Sequence, residues 1–181
     1  NNKNLEALEK GLPNLLQHID NIKNVFGLPC VVAINAFPTD TKEELDLVEA
    51  KCRELGVNVA LSEVWAKGGE GGIELANEVV KLCEEKNDFS FSYELDGSIE
   101  DKIEAIVKRV YGGDGISVLP AAKKQIAALE AMGYANLPVC MAKTQYSFSD
   151  DPAKLGAPDG FTVTIKNVKI SAGAGFIVVL T

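Results

Sequence analysis

Between residues 29 and 61 the sequence spells out a strand, a helix and a second strand, and this unit constrains how the whole chain folds. The run PCVVAI at 29–34 is continuous, apolar and rich in β-branched residues. That is the pattern of a strand buried on both faces, as in a parallel sheet. Thr41 and Glu44 stand at capping-box spacing. The helix they open carries Leu45, Val48, Cys52 and Leu55 on one stripe, and Gly56 closes it. Residues 57–61 read as the second strand. Two strands joined through a helix of this length pair in parallel, with a right-handed crossover. The loops leaving both strands therefore share one edge of one sheet, the edge at which open α/β sheets bind ligands.

The rest of the chain extends this pattern. Leu15, Leu16, Ile19 and Ile22 recur at helical spacing, with Gly11 and Pro13 before them as a helix stop followed by a new start. Lys67-Gly-Gly-Glu-Gly-Gly72 leads into a helix predicted over 73–83. Residues 86–97 are a polar connector in which Phe89, Phe91 and Tyr93 alternate as in a short edge strand. Ser98 caps a helix with Ile99, Ile103, Ile106 and Val110 on its apolar face, and residues 112–115 form a turn. Pro120 starts another helix, which Gly133 ends. Residues 137–142 read as a third parallel strand, and 162–165, 168–170 and 176–180 as antiparallel strands. The expected fold is α/β: a mostly parallel sheet with flanking helices, plus a smaller α+β part ending in antiparallel strands. The division is expected at 1–88, which carries the ligand loops, and 89–181. Asn1 enters a helical pattern almost at once, and residues 176–181 stop inside a core-like strand. Both features lead us to expect a piece cut from a longer chain.

Composition excludes several classes of function. The chain has 26 acidic against 18 basic residues in 181, a net charge of −8, and no basic stripe of the kind nucleic-acid binders carry. No apolar run approaches the roughly 20 residues a membrane helix needs. No signal peptide opens the chain. Cys30, Cys52, Cys83 and Cys140 show no CxxC or His-paired spacing, so a metal site is not expected. They read as reduced, buried cysteines of a cytoplasmic protein. His18, the single histidine, sits among polar neighbours and reads as a surface residue.

Three segments have the residue types for chemistry. The loops at 35–40 and 62–67 bring Phe37 and Trp65 to the same sheet edge. Two rings there suit a flat heteroaromatic ligand, and core packing beneath long loops is the competing reading. The glycines at 68–72, with Lys67 beside them, either admit a ligand close to the backbone or simply make a tight turn. Neither GxxxxGK[ST] nor GxGxxG occurs in the chain. The polar run KTQYSFSDDP at 143–152 suits a substrate tail, a cation or a partner chain, or else a hydrogen-bonded loop.

The strings LPCVVAINAFPTDT, LGVNVALSEVWAKGGEGGIELA and LPVCMAKTQYSFSDDPAKLGAPDGFTVTIKNVKISAGAGFIVVLT extend over much of the chain. In wording and order they resemble the formate–tetrahydrofolate ligase family. That resemblance implies an ATP-dependent enzyme of one-carbon metabolism with a P-loop NTPase-like fold. It implies joining of formate to tetrahydrofolate through formyl phosphate to give 10-formyltetrahydrofolate. Magnesium with ATP, potassium or ammonium as a monovalent cation, and a homotetramer are implied too. The family's ring-binding aromatics map onto Phe37 and Trp65, with Pro38 and Leu61 beside them and Lys67 a further candidate. The family's phosphate-binding loop has no counterpart here, so the resemblance implies a fragment that is inactive alone. A non-catalytic ligand-binding or assembly module is the competing expectation.

Overall fold

The capping box, the glycine stop and the two flanking strands appear where the residue pattern puts them in the computed structural model, which describes residues 3–142 and 147–181. The chain is mixed α/β and divides into two units, Asn1–Ser90 and Phe91–Thr181.

In the first unit β1 (Val31–Asn35) pairs in parallel with β2 (Asn58–Ser62), in register from Val31 opposite Asn58 to Asn35 opposite Ser62. Helix α2 (Lys42–Glu54) connects them. Thr41 accepts the Glu44 N–H, and the Glu44 carboxylate accepts the Thr41 N–H at 3.0 Å, which closes the capping box. Gly56 takes φ +66°, a left-handed conformation that turns the chain into β2. Cys52 is fully buried against Ile19 and Val57.

Helix α1 (Leu5–Asp20) corrects the expected stop and restart, because it runs unbroken through Gly11 and Pro13 into a π-helical turn at Asn21–Val25. Glu9 and Pro13 are both exposed, so the helical bond that proline cannot make is lost on the solvated side, where water replaces it. Strand β1 is also not buried on both faces: Ala33 and Asn35 are exposed, and Val31, Val32 and Ile34 are half-buried. Among the described residues its sheet has two strands, so no strand pairs with β1 on its other side. Leu55 likewise stands 41% exposed at the end of the α2 stripe. Beyond β2 come the one-turn α3 (Val64–Lys67), a 3-10 turn at Gly68–Gly72 and α4 (Ile73–Cys83).

The second unit opens with α5 (Ile99–Ile106), capped by Ser98 with Asp101, and a π-helical turn at Val107–Tyr111. Then come β3 (Gly115–Val118), α6 (Pro120–Ala131) and β4 (Val139–Ala142), followed by β5 (Thr162–Ile165), β6 (Asn167–Ser171) and β7 (Phe176–Leu180). β4 lies parallel to β7, and β6 and β7 form an antiparallel hairpin. Strand β3 goes unforeseen in the sequence reading, and β5 is a correction, since it pairs in parallel with β3. One residue, Lys166, separates β5 from β6, and its N–H donates to the Leu180 carbonyl at 2.9 Å. One extended segment thus changes partner midway, and only its second half is antiparallel.

The alternation at Phe89, Phe91 and Tyr93 does not form a strand. The Arg109 guanidinium donates to the carbonyls of Phe91 and Ser92, occupying acceptors a ladder would use. The Tyr93 hydroxyl exchanges hydrogen bonds with the backbone of Val139. Lys102 is 1% exposed, and its ammonium donates to the carbonyls of Ala135 and Leu137. Burial pushes its pKa down from the ordinary lysine value. The expectation of buried cysteines holds for Cys52 but not for Cys83 and Cys140, which are exposed. Cys83 ends a helix with no buried residue, and Cys140 lies on the edge strand β4.

Candidate functional site

The in-register pairing of β1 and β2 ends level, with Asn35 opposite Ser62, so both following loops start from one line. The Ala36 N–H donates to the Ser62 carbonyl at 2.9 Å and adds a rung beyond the strands. Residues 37–40 then close a turn in both directions. The Asp40 N–H donates to the Phe37 carbonyl at 3.0 Å, and the Phe37 N–H donates to Asp40 Oδ2 at 2.8 Å. On the neighbouring loop the Glu63 carbonyl accepts the N–H groups of Ala66 and Lys67 at 3.0 and 2.9 Å, which winds the single turn carrying Trp65.

These two turns bring the Phe37 and Trp65 rings to a centroid separation of 6.0 Å with their planes 50° apart. That lies within the range of favourable aromatic contact. Phe37 is 44% and Trp65 66% exposed, which argues against packing in a core. A flat ring held between two parallel rings needs a separation of about 7 Å, twice the usual contact distance of about 3.5 Å. The pair is therefore closed on itself, with no room for a flat ring between its members.

The other sequence-predicted residues are distributed less tightly. Pro38 is exposed within the Phe37 turn. Leu61 lines a hollow of about 230 Å³ with Ile34, Leu45, Val59 and Glu74. The lining of that hollow includes neither Phe37 nor Trp65. The Lys67 ammonium lies 2.5 Å from Glu63 Oε2, so its charge is paired. Thr39 and Asp40 border a second hollow of about 350 Å³, floored by Leu8, Ile34, Leu45 and Val48.

The glycine segment offers a poor seat for a triphosphate. Glu70 and Glu74 flank the start of α4, where an anion would have to sit, and Lys67 is neutralised by Glu63. Among the described residues no cluster of three or more His, Cys, Asp or Glu side chains is arranged to hold a metal ion. In the 143–152 run, Lys143, Thr144, Gln145 and Tyr146 lie outside the described residues. Beyond them Ser147 Oγ donates to the Lys154 carbonyl, and Asp150 accepts the Thr164 N–H at 3.1 Å, as in a hydrogen-bonded loop.

Sequence reasoning misses two residues that shape the aromatic pair. Asp40 holds Phe37 through its backbone, and the signal for it is an acid three positions after the ring in a Pro-containing turn. Gly71 approaches the backbone of Glu63 so closely that a Cβ would sit 2.5 Å from its carbonyl carbon. Nothing in the local sequence separates Gly71 from the three glycines around it.

Parallel strands joined by a crossover helix, with the loops of both strands level at the carboxyl edge, place the first unit within the mixed α/β class. The family follows from comparison: the family model described as formate–tetrahydrofolate ligase matches residues 1–181, and the chain belongs to that family. Membership implies formate–tetrahydrofolate ligase activity in the parent protein, with formate, tetrahydrofolate and ATP as its small molecules. Among the described residues no helix is long and apolar enough to cross a membrane.

Proposed function

We propose that this chain supplies the tetrahydrofolate ring site of a formate–tetrahydrofolate ligase. The observation that carries the proposal is the exposed Phe37–Trp65 pair, 6.0 Å apart at the carboxyl edge of two parallel strands. The pterin ring of the folate stacks on these rings, with Pro38 and Leu61 adding apolar surface beside them. Lys67 turns from Glu63 toward the negative tail of the ligand. In the parent enzyme, formate attacks the terminal phosphorus of ATP to give formyl phosphate and ADP. N10 of tetrahydrofolate then attacks the formyl carbon and releases phosphate. Magnesium, a monovalent cation such as potassium or ammonium, a cytoplasmic homotetramer and a P-loop NTPase-like parent fold complete this reading on family grounds.

The ligand loops belong to the first unit, and the chain has no GxxxxGK[ST] sequence to hold the phosphates. By this reading the chain binds folate and does not turn over alone. Trp65, the single tryptophan, is the probe. Titration with tetrahydrofolate is expected to quench its fluorescence saturably, and Phe37→Ala to remove the saturation. Saturable quenching by ATP and not by tetrahydrofolate would reassign the rings to adenine. Turnover of formate, ATP and tetrahydrofolate above background would overturn the inactivity of the chain alone.

A further inference from the structure

We infer that Gly71 is a positioning residue for Trp65, and that the glycine segment is the seat on which the indole-bearing turn is set. The inference deepens the reading of Phe37 and Trp65 as ligand rings and rests on it. An ideal Cβ on Gly71 falls 2.5 Å from both the carbonyl carbon and oxygen of Glu63 and 2.9 Å from the Val64 nitrogen. All three are backbone atoms of the turn that carries Trp65, and no rotamer change moves them aside. At the same place the Glu63 N–H donates to the Gly71 carbonyl at 3.0 Å. Contact and hydrogen bond together press peptide 63–64 against the glycine.

The neighbouring glycines behave differently. Gly69 has nothing within 4 Å of its ideal Cβ. Gly68 is equally open, and its φ of +61° is what calls for glycine there. Gly72 would meet only the Val64 Cγ1 methyl, at 3.0 Å. The close approach that glycine permits at Gly71 is thus made to the protein's own backbone. Restoring van der Waals distance after adding a methyl group at Gly71 moves peptide 63–64 by about 1 Å. Trp65 follows within two residues, and its 6.0 Å approach to Phe37 is lost. A misplacement of about 1 Å in a binding geometry costs up to about 100-fold.

The test uses the indole N–H resonance of the single tryptophan together with fluorescence titration by tetrahydrofolate. Phe37→Leu is expected to shift the indole resonance in the wild-type and Gly69→Ala backgrounds, and to leave it unmoved in Gly71→Ala. Tetrahydrofolate affinity is expected to fall about tenfold or more in Gly71→Ala and to stay within about twofold in Gly69→Ala. Preserved ring coupling in a folded Gly71→Ala protein would overturn the inference. Coupling that behaves as expected in a protein that binds no tetrahydrofolate would remove the ligand reading and leave the positioning role standing. Should Gly71→Ala fail to fold, the wild type decides: an indole resonance that Phe37→Leu leaves unmoved in the wild-type background would mean that there is no Phe37–Trp65 approach for Gly71 to set, and would overturn the inference.

Discussion

The two units solve the problem of staying folded in different ways. Among the described residues the second unit buries fifteen apolar side chains in one cluster, with Ile99, Ile103, Val163, Ile165, Ile177 and Val179 fully or almost fully inaccessible. The first unit buries five: Leu12, Ile19, Cys52, Val57 and Ala60. It leaves Ile73 56% and Val80 63% exposed along α4, and presents the Phe37 and Trp65 rings to solvent. Backbone devices shape its surface: a reciprocal turn at 37–40, the contact of Gly71 with Glu63 and a capping box at Thr41 and Glu44, the last matched in the second unit by Ser98 and Asp101. A unit held this way can present aromatic side chains at its surface, because they are not needed inside. The cost is a smaller hydrophobic term to oppose chain entropy.

The spectroscopy of the chain separates the two units. The single tryptophan lies in the first, and all four tyrosines lie in the second. The largest expected effect is in the second unit's core. Ile103→Ala removes a side chain that is 0% exposed and should cost about 2–5 kcal/mol, read as a lower urea midpoint of the tyrosine near-UV signal. Val80→Ala in the first unit should stay within about 0.5 kcal/mol by tryptophan emission. Equal shifts would break the comparison, since they would mean that α4 buries its outer face in solution.

Lys102 sharpens the comparison, because it is a buried charge inside the better-packed unit. Lys102→Met leaves the Ala135 and Leu137 carbonyls without their donor, which should cost about 1–3 kcal/mol. The same variant has a signature in pH. Burial lowers the folded-state pKa, so in the alkaline window below the ordinary lysine value the unfolded chain holds more protons. Stability therefore rises with pH through that window as the buried amine is neutralised, and the neutral amine still has N–H donors for both carbonyls. The difference between wild type and Lys102→Met in the tyrosine signal should show this slope. A parallel pH dependence in the two proteins would mean that the ammonium is not desolvated.

How much of this was legible in the sequence depended on whether the cue was local. Thr41 with Glu44, Ser98, Pro120 and the glycines at 56 and 133 mark element ends through interactions within a few residues, and the elements end there. The meeting of Phe37 and Trp65 was also legible, because in-register parallel pairing leaves two consecutive loops level. The continuity of α1 through Pro13 was not, because it depends on which side of the helix is solvated. The change of partner at Lys166 was not, because it depends on a strand more than ten residues away. Lys102 stands three residues after Ile99 and four before Ile106, so its place on the apolar face could have been read from spacing alone.

A smaller effect than those in the second unit is expected at the polar cap of α2. Thr41→Ala removes the hydroxyl that caps α2 and should cost about 1 kcal/mol by tryptophan emission. Glu44 is the other half of the cap. Its carboxylate accepts the N–H of Thr41 at 3.0 Å, the hydroxyl of Thr41 at 2.8 Å and the N–H of Asn4 at 3.1 Å, so it also ties the start of α1 to the start of α2. These bonds, the Thr41 N–H first among them, hold its pKa below the ordinary carboxylate value. The folded state therefore takes up a proton less readily than the unfolded chain. The stabilisation is present above the ordinary carboxylate range and is lost as pH falls through the lowered value. Glu44→Gln should flatten the acid-induced loss of the tryptophan signal and leave the tyrosine signal's acid response as it is. If Glu44→Gln changed the tyrosine response equally, the cap would not be particular to the first unit's stability. The contrast between the two units' responses to acid would then have to be abandoned.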